Sequence, residues 1–226
     1  MDRRQARAQS DRSARGQARQ RGRVSKPVRV VLFDVGGVLV QLSGVATVLG
    51  WVADRWTPPE LWHRWLHSPA VRAFETGRCD AETFAADLVA ELDLGVAPAL
   101  FLESFAGWPT GLYPGTRELI EKIPAHVTRA LLSNSNALHW PRVEDEFGLR
   151  ALFEHRFVSH QIGRIKPDRD AFEHVLSSLG CDAASVFFLD DNQMNVEAAQ
   201  AVGMQGAVVR GIAEAEHALR NVSVIR

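Results

Sequence analysis

Four short groups of residues carry side chains that could do chemistry: Asp34 ahead of Val35-Gly36-Gly37, then Ser133-Asn134-Ser135-Asn136, then Lys166-Pro167-Asp168, and finally Asp190-Asp191-Asn192. A carboxylate can act as a nucleophile or as a hard-oxygen metal ligand, a hydroxyl and an amide can donate to an anion, and a lysine can offset negative charge. Taken singly, each group has a plainer reading. Asp34 could be a turn residue, Ser133 and Asn134 a helix cap, Lys166-Pro167 a solvated turn, and Asp190-Asp191 an N-cap. Taken together they suit a divalent cation and a phosphate. Asp34, Asp190 and Asp191 offer oxygens to Mg²⁺, Ser133 and Asn134 offer donors to phosphate, and Lys166 offsets the charge of Asp34 as an anion approaches.

These residues can meet only if the elements before them end at one place. Each group follows, or lies in a loop after, a short apolar run: 28–33, 127–132, 155–159 and 186–189, with another run at 205–209. Such runs read as buried strands. Helical stretches are expected over 140–147, 170–179 and 196–202. Strands alternating with helices predict an α/β doubly wound parallel sheet, in which ligands gather at the carboxyl ends of the strands.

One insertion breaks the alternation. Residues 45–111 contain no strand-like run but several helical ones, around 48–56, 60–66, 81–92 and 97–105, so a small helical domain is expected there. Its Trp51, Trp56, Trp62 and Trp65 are expected to form its own core. The resulting division is a basic tail over 1–29, a core over 30–44 and 112–226, and the helical insertion over 45–111.

The 226 residues carry a net charge of −1, which hides an asymmetry, since the first 29 hold ten Lys/Arg against Asp2 and Asp11. Rich in Arg, Gln, Ala and Ser and without aromatics, that tail is expected to be disordered. A nucleic-acid arm is disfavoured, because no aromatic is interleaved for base stacking and the attached body is acidic. No apolar run reaches the roughly 18 residues of a membrane helix, and Cys79 and Cys181 lack metal-ligand spacing, so a reduced, cytoplasmic chain is expected. His139, His155, His160 and His174 sit at unrelated spacings and read as surface or packing residues, with His160 able to reach the crevice rim.

Phe33-Asp34-Val35-Gly36-Gly37-Val38-Leu39, Leu132-Ser133-Asn134, Lys166-Pro167 and Phe188-Leu189-Asp190-Asp191-Asn192-Gln193-Met194-Asn195 resemble, in order and spacing, the four motifs of the haloacid dehalogenase-like hydrolases. The insertion resembles the helical cap of that family, and Phe74-Glu75-Thr76-Gly77-Arg78-Cys79-Asp80-Ala81-Glu82-Thr83-Phe84 resembles a segment common in such caps. Within the family the chain is similar to bacterial phosphatases that act on α-glucose-1-phosphate. The resemblance implies Mg²⁺-dependent hydrolysis of a small phosphate monoester, with a sugar phosphate as substrate and Asp34 as the nucleophile that forms an aspartyl-phosphate. It implies a metal held by Asp34, the carbonyl of Gly36 and Asp191, with Asp190 close by or acting through water. It also implies phosphate held by Ser133, Asn134, Lys166 and Gly37, with Lys166 and Ser133 assisting catalysis.

One position departs from the pattern. Most phosphatases of this family carry a second aspartate two residues after the nucleophile as general acid and base, and here Gly36 stands there. Losing such a group costs roughly 10² to 10⁴ in rate unless something replaces it. Two other function classes share the motifs. A metal-independent dehalogenase also lacks the second aspartate, although Asp190-Asp191 would repel a haloacid carboxylate. A weakly active or non-catalytic phospholigand-binding protein would keep the same site. Arg72, Phe74 and Glu75 are the insertion residues expected to face inward and choose the substrate.

Overall fold

The computed structural model describes residues 26–52 and 55–226. The expected disorder of the basic tail therefore lies outside the described residues up to position 25. Its last four residues are described and run beside the sheet: Lys26 pairs with Asp182, and Arg29 N–H donates to Ser185 O at 2.8 Å.

In chain order, β1 (Val30–Phe33) is followed by β2 (Val40–Leu42) and five helices, α1 (Gly44–Trp51), α2 (Pro58–His67), α3 (Pro69–Glu75), α4 (Ala81–Glu91) and α5 (Pro98–Ala106). The chain returns through β3 (Pro109–Leu112) and continues as α6 (Thr116–Glu121), β4 (Thr128–Ser133), β5 (His155–Val158), α7 (Ser159–Ile162), α8 (Arg169–Leu179), β6 (Val186–Asp190), α9 (Gln193–Ala201), β7 (Gln205–Val208) and α10 (Gly211–Asn221).

Five of these strands form a parallel sheet in the order β5-β4-β1-β6-β7. The expected doubly wound α/β architecture is the one found. β1 lies at the centre because all four of its residues are apolar and can be buried on both faces. Alternate side chains go to opposite layers. Val31 and Phe33 pack with Leu119, Ile120 and Leu219 on one face, while Val30 and Leu32 pack with Phe172, Val175 and Met204 on the other. The register sets Phe33 beside both Leu131 and Leu189, so the ends of β1, β4 and β6 fall within two residues of one another.

The helices α1 to α5 have a separate core in which Phe74 stacks on Phe84 and Phe101 on Phe105. Capping residues fix their starts. Asp80 accepts from Thr83 N–H at 2.8 Å at the head of α4, and Ser68 accepts from Val71 N–H at 3.1 Å at the head of α3, with Pro69 in the first turn. Helix α3 lies where no helix was expected, and its Ser68-Pro69 start signal is visible in the sequence. The expected absence of strands at this end also gives way: β2 and β3 pair antiparallel, with Val40 opposite Leu112. Both connections between the sheet and the helices run through this ribbon. The helix expected over 140–147 is a short wide turn centred on Arg142–Glu146, followed by Gly148 at positive φ. Among the described residues, no helix is long and apolar enough to cross a membrane.

Candidate active site

Because β1, β4 and β6 end within two residues of one another, the residues at and just after their ends share one crevice. Asp34 continues β1, with its N–H donating to Leu189 O at 2.8 Å, and its side chain is almost buried. Lys166 arrives from the loop before α8 and is clamped at its backbone by Asn134. Asn134 Oδ1 accepts from Lys166 N–H and Asn134 Nδ2 donates to Lys166 O, both at 2.9 Å. The clamp delivers Lys166 Nζ to 2.7 Å from Asp34 Oδ1 and 2.7 Å from Asp190 Oδ2.

Asp190 is fully buried and fully engaged. Besides Lys166 it accepts from Asn192 N–H at 2.8 Å and from Asn195 Nδ2 at 3.0 Å on each oxygen. Asn195, in the first turn of α9, was given no role from sequence alone, and its position five residues after Asp190 is the signal that could have found it. Oxygens of Asp34, Asp190 and Asp191 lie within 4.8 Å of one another. Three carboxylates against one buried ammonium leave an excess of negative charge that a low-dielectric crevice does not tolerate alone, and a divalent cation is the partner of matching charge and hardness. With Asp190 saturated by hydrogen bonds, Asp34 and Asp191 are the carboxylates better able to ligate one.

The electrostatics follow this geometry. Burial pushes the Asp34 carboxyl well above the usual range, Lys166 opposes that, and Asp190 and Asp191 add to it. Burial, then Asp190, lifts Asp191 to about 6, with Lys166 and Arg210 opposing. For Lys166, burial disfavours the charge, but Asp190 and Asp34 outweigh it and hold the ammonium above its ordinary value.

Three expected phosphate-binding residues divide on inspection. Ser133 is buried at the end of β4, lines the crevice, and has no side-chain hydrogen bond among the described residues. Asn134 lines it too, and its amide positions the lysine through Oδ1 and one Nδ2 hydrogen, leaving the second Nδ2 hydrogen unassigned. Gly37 N–H donates to Val40 O at 2.9 Å and is unavailable. Glycine at 37 serves a different need: its φ is +74°, and a β-carbon there would crowd Asp191.

From this floor a cleft of about 380 Å³ opens toward the helices. Of the expected inward-facing residues, Arg72 and Glu75 line it, whereas Phe74 is buried in the helical core. Arg72 pairs with Asp168. Burial raises the Glu75 carboxyl to about 7, with Lys166 opposing. Trp65 belongs to the helical core as expected, but Trp62 is 39% exposed and lines the cleft. His160 does not reach it. His139 does, and is no surface residue: its Nε2 lies 2.6 Å from Phe105 O and its Nδ1 3.3 Å from Asn136 Nδ2. A carbonyl only accepts, so the proton sits on Nε2 and Nδ1 accepts from the amide.

A family model described as haloacid dehalogenase-like hydrolase matches residues 28–203. The sesquiterpene phosphatase of Aspergillus oryzae is 28% identical over 182 residues, which cover 79% of this chain and 88% of that protein. Phosphoglycolate phosphatase 1 of Pseudomonas aeruginosa is 27% identical over 80% of this chain and 69% of its own length. Among solved structures, a haloacid dehalogenase family enzyme from Bacteroides thetaiotaomicron, in complex with magnesium and inorganic phosphate, superposes with a TM-score of 0.65 at 21% identity, covering 81% of this chain and 94% of that one. The L-2-haloacid dehalogenase of Xanthobacter autotrophicus superposes with a TM-score of 0.59 at 20% identity, covering 88% and 85%.

Proposed function

The chain belongs to the haloacid dehalogenase-like hydrolases, and on that premise we propose that it hydrolyses a small phosphate monoester, with Asp34 taking up the phosphoryl group in a Mg²⁺-dependent reaction. The observation that carries this reading is the placement of Lys166 Nζ 2.7 Å from both Asp34 and Asp190, with Asp191 completing a compact group of carboxylates. A haloacid would bring a further carboxylate to the same place with nothing to offset it. A phosphate would share a bound cation.

Mg²⁺ would be held by Asp34, Asp191 and the Gly36 carbonyl, with Asp190 behind them, and would supply charge neutralisation for the phosphoryl oxygens. Lys166 and Ser133 would hold the same oxygens. An oxygen of Asp34 forms the new bond to phosphorus as the ester P–O bond breaks, and the leaving alkoxide takes a proton. Water then cleaves the acyl phosphate, regenerating the Asp34 carboxylate and releasing inorganic phosphate.

With Gly36 in place of an aspartate, the proton has to come from elsewhere. Glu75, the last residue of α3, is a carboxyl that lines the same cleft, and burial raises it to about 7, so a substantial fraction is protonated at neutral pH. In this reading α1 to α5 act as the cap, and Glu75 donates from the cap side. A cytoplasmic setting belongs to the same reading and is supported by the unpaired Cys79 and Cys181.

The narrower expectation of a sugar phosphate rests on sequence resemblance. The two curated relatives are named for a sesquiterpene and for phosphoglycolate, so they do not choose between polar and apolar leaving groups.

Phosphate release from acetyl phosphate and a panel of monoesters, with Mg²⁺ and then with chelator, tests the reaction. Release should need the metal, and Asp34→Asn should lose on the order of 10³-fold or more at unchanged fold. Release that persists in chelator would sink the reading, and chloride release from a 2-chloroacid without metal would replace it with dehalogenation.

A further inference from the structure

Resting on the phosphatase reading, we propose that the leaving group is a sizeable apolar alcohol, aliphatic or aryl, and that Leu42, Trp62 and Met194 form the mouth of its binding cleft. Four large hydrophobic residues are conspicuously exposed among the described residues: Leu42 at 53%, Trp62 at 39%, Leu100 at 51% and Met194 at 39%. Three of these four line the one cleft that opens from Asp34. They come from β2, α2 and the first turn of α9, so sheet and helices contribute to a single apolar rim.

Deeper in, the walls are Trp65, Phe105 and Trp108, the last two in edge-to-face contact with centroids 4.7 Å apart. The cleft volume of about 380 Å³ is that of roughly a dozen water molecules, too large for a methyl or acetyl group alone.

Several polar side chains along the walls are already engaged, while Glu75 and the indole N–H groups of Trp108 and Trp140, deeper in, have no partner among the described residues. Arg72 is paired with Asp168, and His67 Nδ1 lies 2.7 Å from His63 O. Asn136 Oδ1 accepts from the N–H groups of Leu138 and His139, and His139 is held between Asn136 and Phe105 O. A sugar would bring several hydroxyls against a rim of Leu42, Trp62 and Met194, which offers no side-chain hydrogen-bonding partner outside the indole N–H of Trp62, and each unpaired hydroxyl weakens binding by roughly tenfold. An apolar chain has no such need, and each methylene it buries strengthens binding by about fourfold. The two effects point the same way.

Decyl phosphate and naphthyl phosphate should give kcat/KM at least tenfold above hexose phosphates. Trp62→Ala should lower kcat/KM for decyl phosphate at least tenfold more than for acetyl phosphate, which is too short to reach the rim. Hexose phosphates turned over as well as the apolar esters, or a Trp62→Ala effect equal for long and short substrates, would overturn the proposal. Calorimetric binding of decylphosphonate to the Mg²⁺-loaded protein separates this failure from that of the reaction itself. No release from any ester refutes the phosphatase reading, but decylphosphonate binding more than tenfold tighter than methylphosphonate would still establish the apolar site. Equal binding of the two phosphonates would refute it.

Discussion

A β-carbon built on Gly37 would lie 2.4 Å from Asp191 Oδ2. The absent side chain is thus the space that Asp191 occupies, and the φ of +74° at the same residue sets the turn that carries the chain from Asp34 past the carboxylates. A methyl at 37 must push Asp191 away from Asp34.

Gly37→Ala is accordingly expected to raise the Mg²⁺ concentration for half-maximal activity by about 10- to 100-fold, the range seen when ligand-supporting groups are disturbed. Strain at positive φ adds a loss of about 1 kcal/mol in stability. Metal titration of activity, paired with thermal melts, reads both. A variant that melts earlier with an unchanged metal requirement would show that Asp191 is not a ligand.

Glu75→Gln tests the proton donor. With its carboxyl at about 7, Glu75 is protonated below that pH, so cleavage of alkyl phosphates should decline as pH rises through about 7. The glutamine variant should lose roughly 10²- to 10⁴-fold in kcat on such esters and lose this limb of the profile. Acetyl phosphate, whose leaving group needs no proton, should be spared. Gly36→Asp should rescue the variant, because its β-carbon meets only the tip of the exposed Leu42 side chain, at 2.9 Å, which can swing aside. An unchanged profile in Glu75→Gln would eliminate Glu75 as the donor.

His139 makes stability depend on pH. Burial pulls its imidazole down to about 4, from 6.5 in an open chain, with the bond to Phe105 O opposing and Arg142 assisting. The folded state therefore binds fewer protons than the unfolded state between those values. The contribution is complete above pH 6.5 and is lost as pH falls toward 4, amounting to on the order of 3 kcal/mol. Urea unfolding at pH 7 and pH 4.5 should show a smaller acid loss in His139→Gln than in the parent. Parallel losses in the two proteins would contradict the assignment.

The strand ends were legible in the sequence because a run such as Val30-Val31-Leu32-Phe33 has one good solution, a strand buried on both faces, and whatever follows it lands at the crevice. Hence Asp34, Ser133, Lys166 and Asp190 come together as their spacing suggested. The helical walls were not legible in this way. Trp62 and Trp65 are three residues apart on α2 and look alike in periodicity, and both line the cleft, yet Trp62 stands exposed at its rim while Trp65 is buried against Phe84 of α4 and Phe105 of α5, a distinction made by packing. Helix α3, seven residues long and separated from α2 by Ser68 alone, is too short for a periodic signal. Strand β3, Pro-Thr-Gly-Leu, has no strand-forming character of its own and is held by pairing with β2.

That ribbon makes the helices an insert with a single point of attachment. The outgoing strand at Leu42 and the returning strand at Pro109 lie side by side, so sixty-odd residues enter and leave through adjacent backbone positions. A stretch inserted in this manner can be exchanged for another of different length without re-threading any strand of the parallel sheet. The carboxylates and Lys166 are thus fixed by the sheet and the loops after its strands, while the helical wall facing them is carried on a length of chain open to replacement between residues 43 and 108.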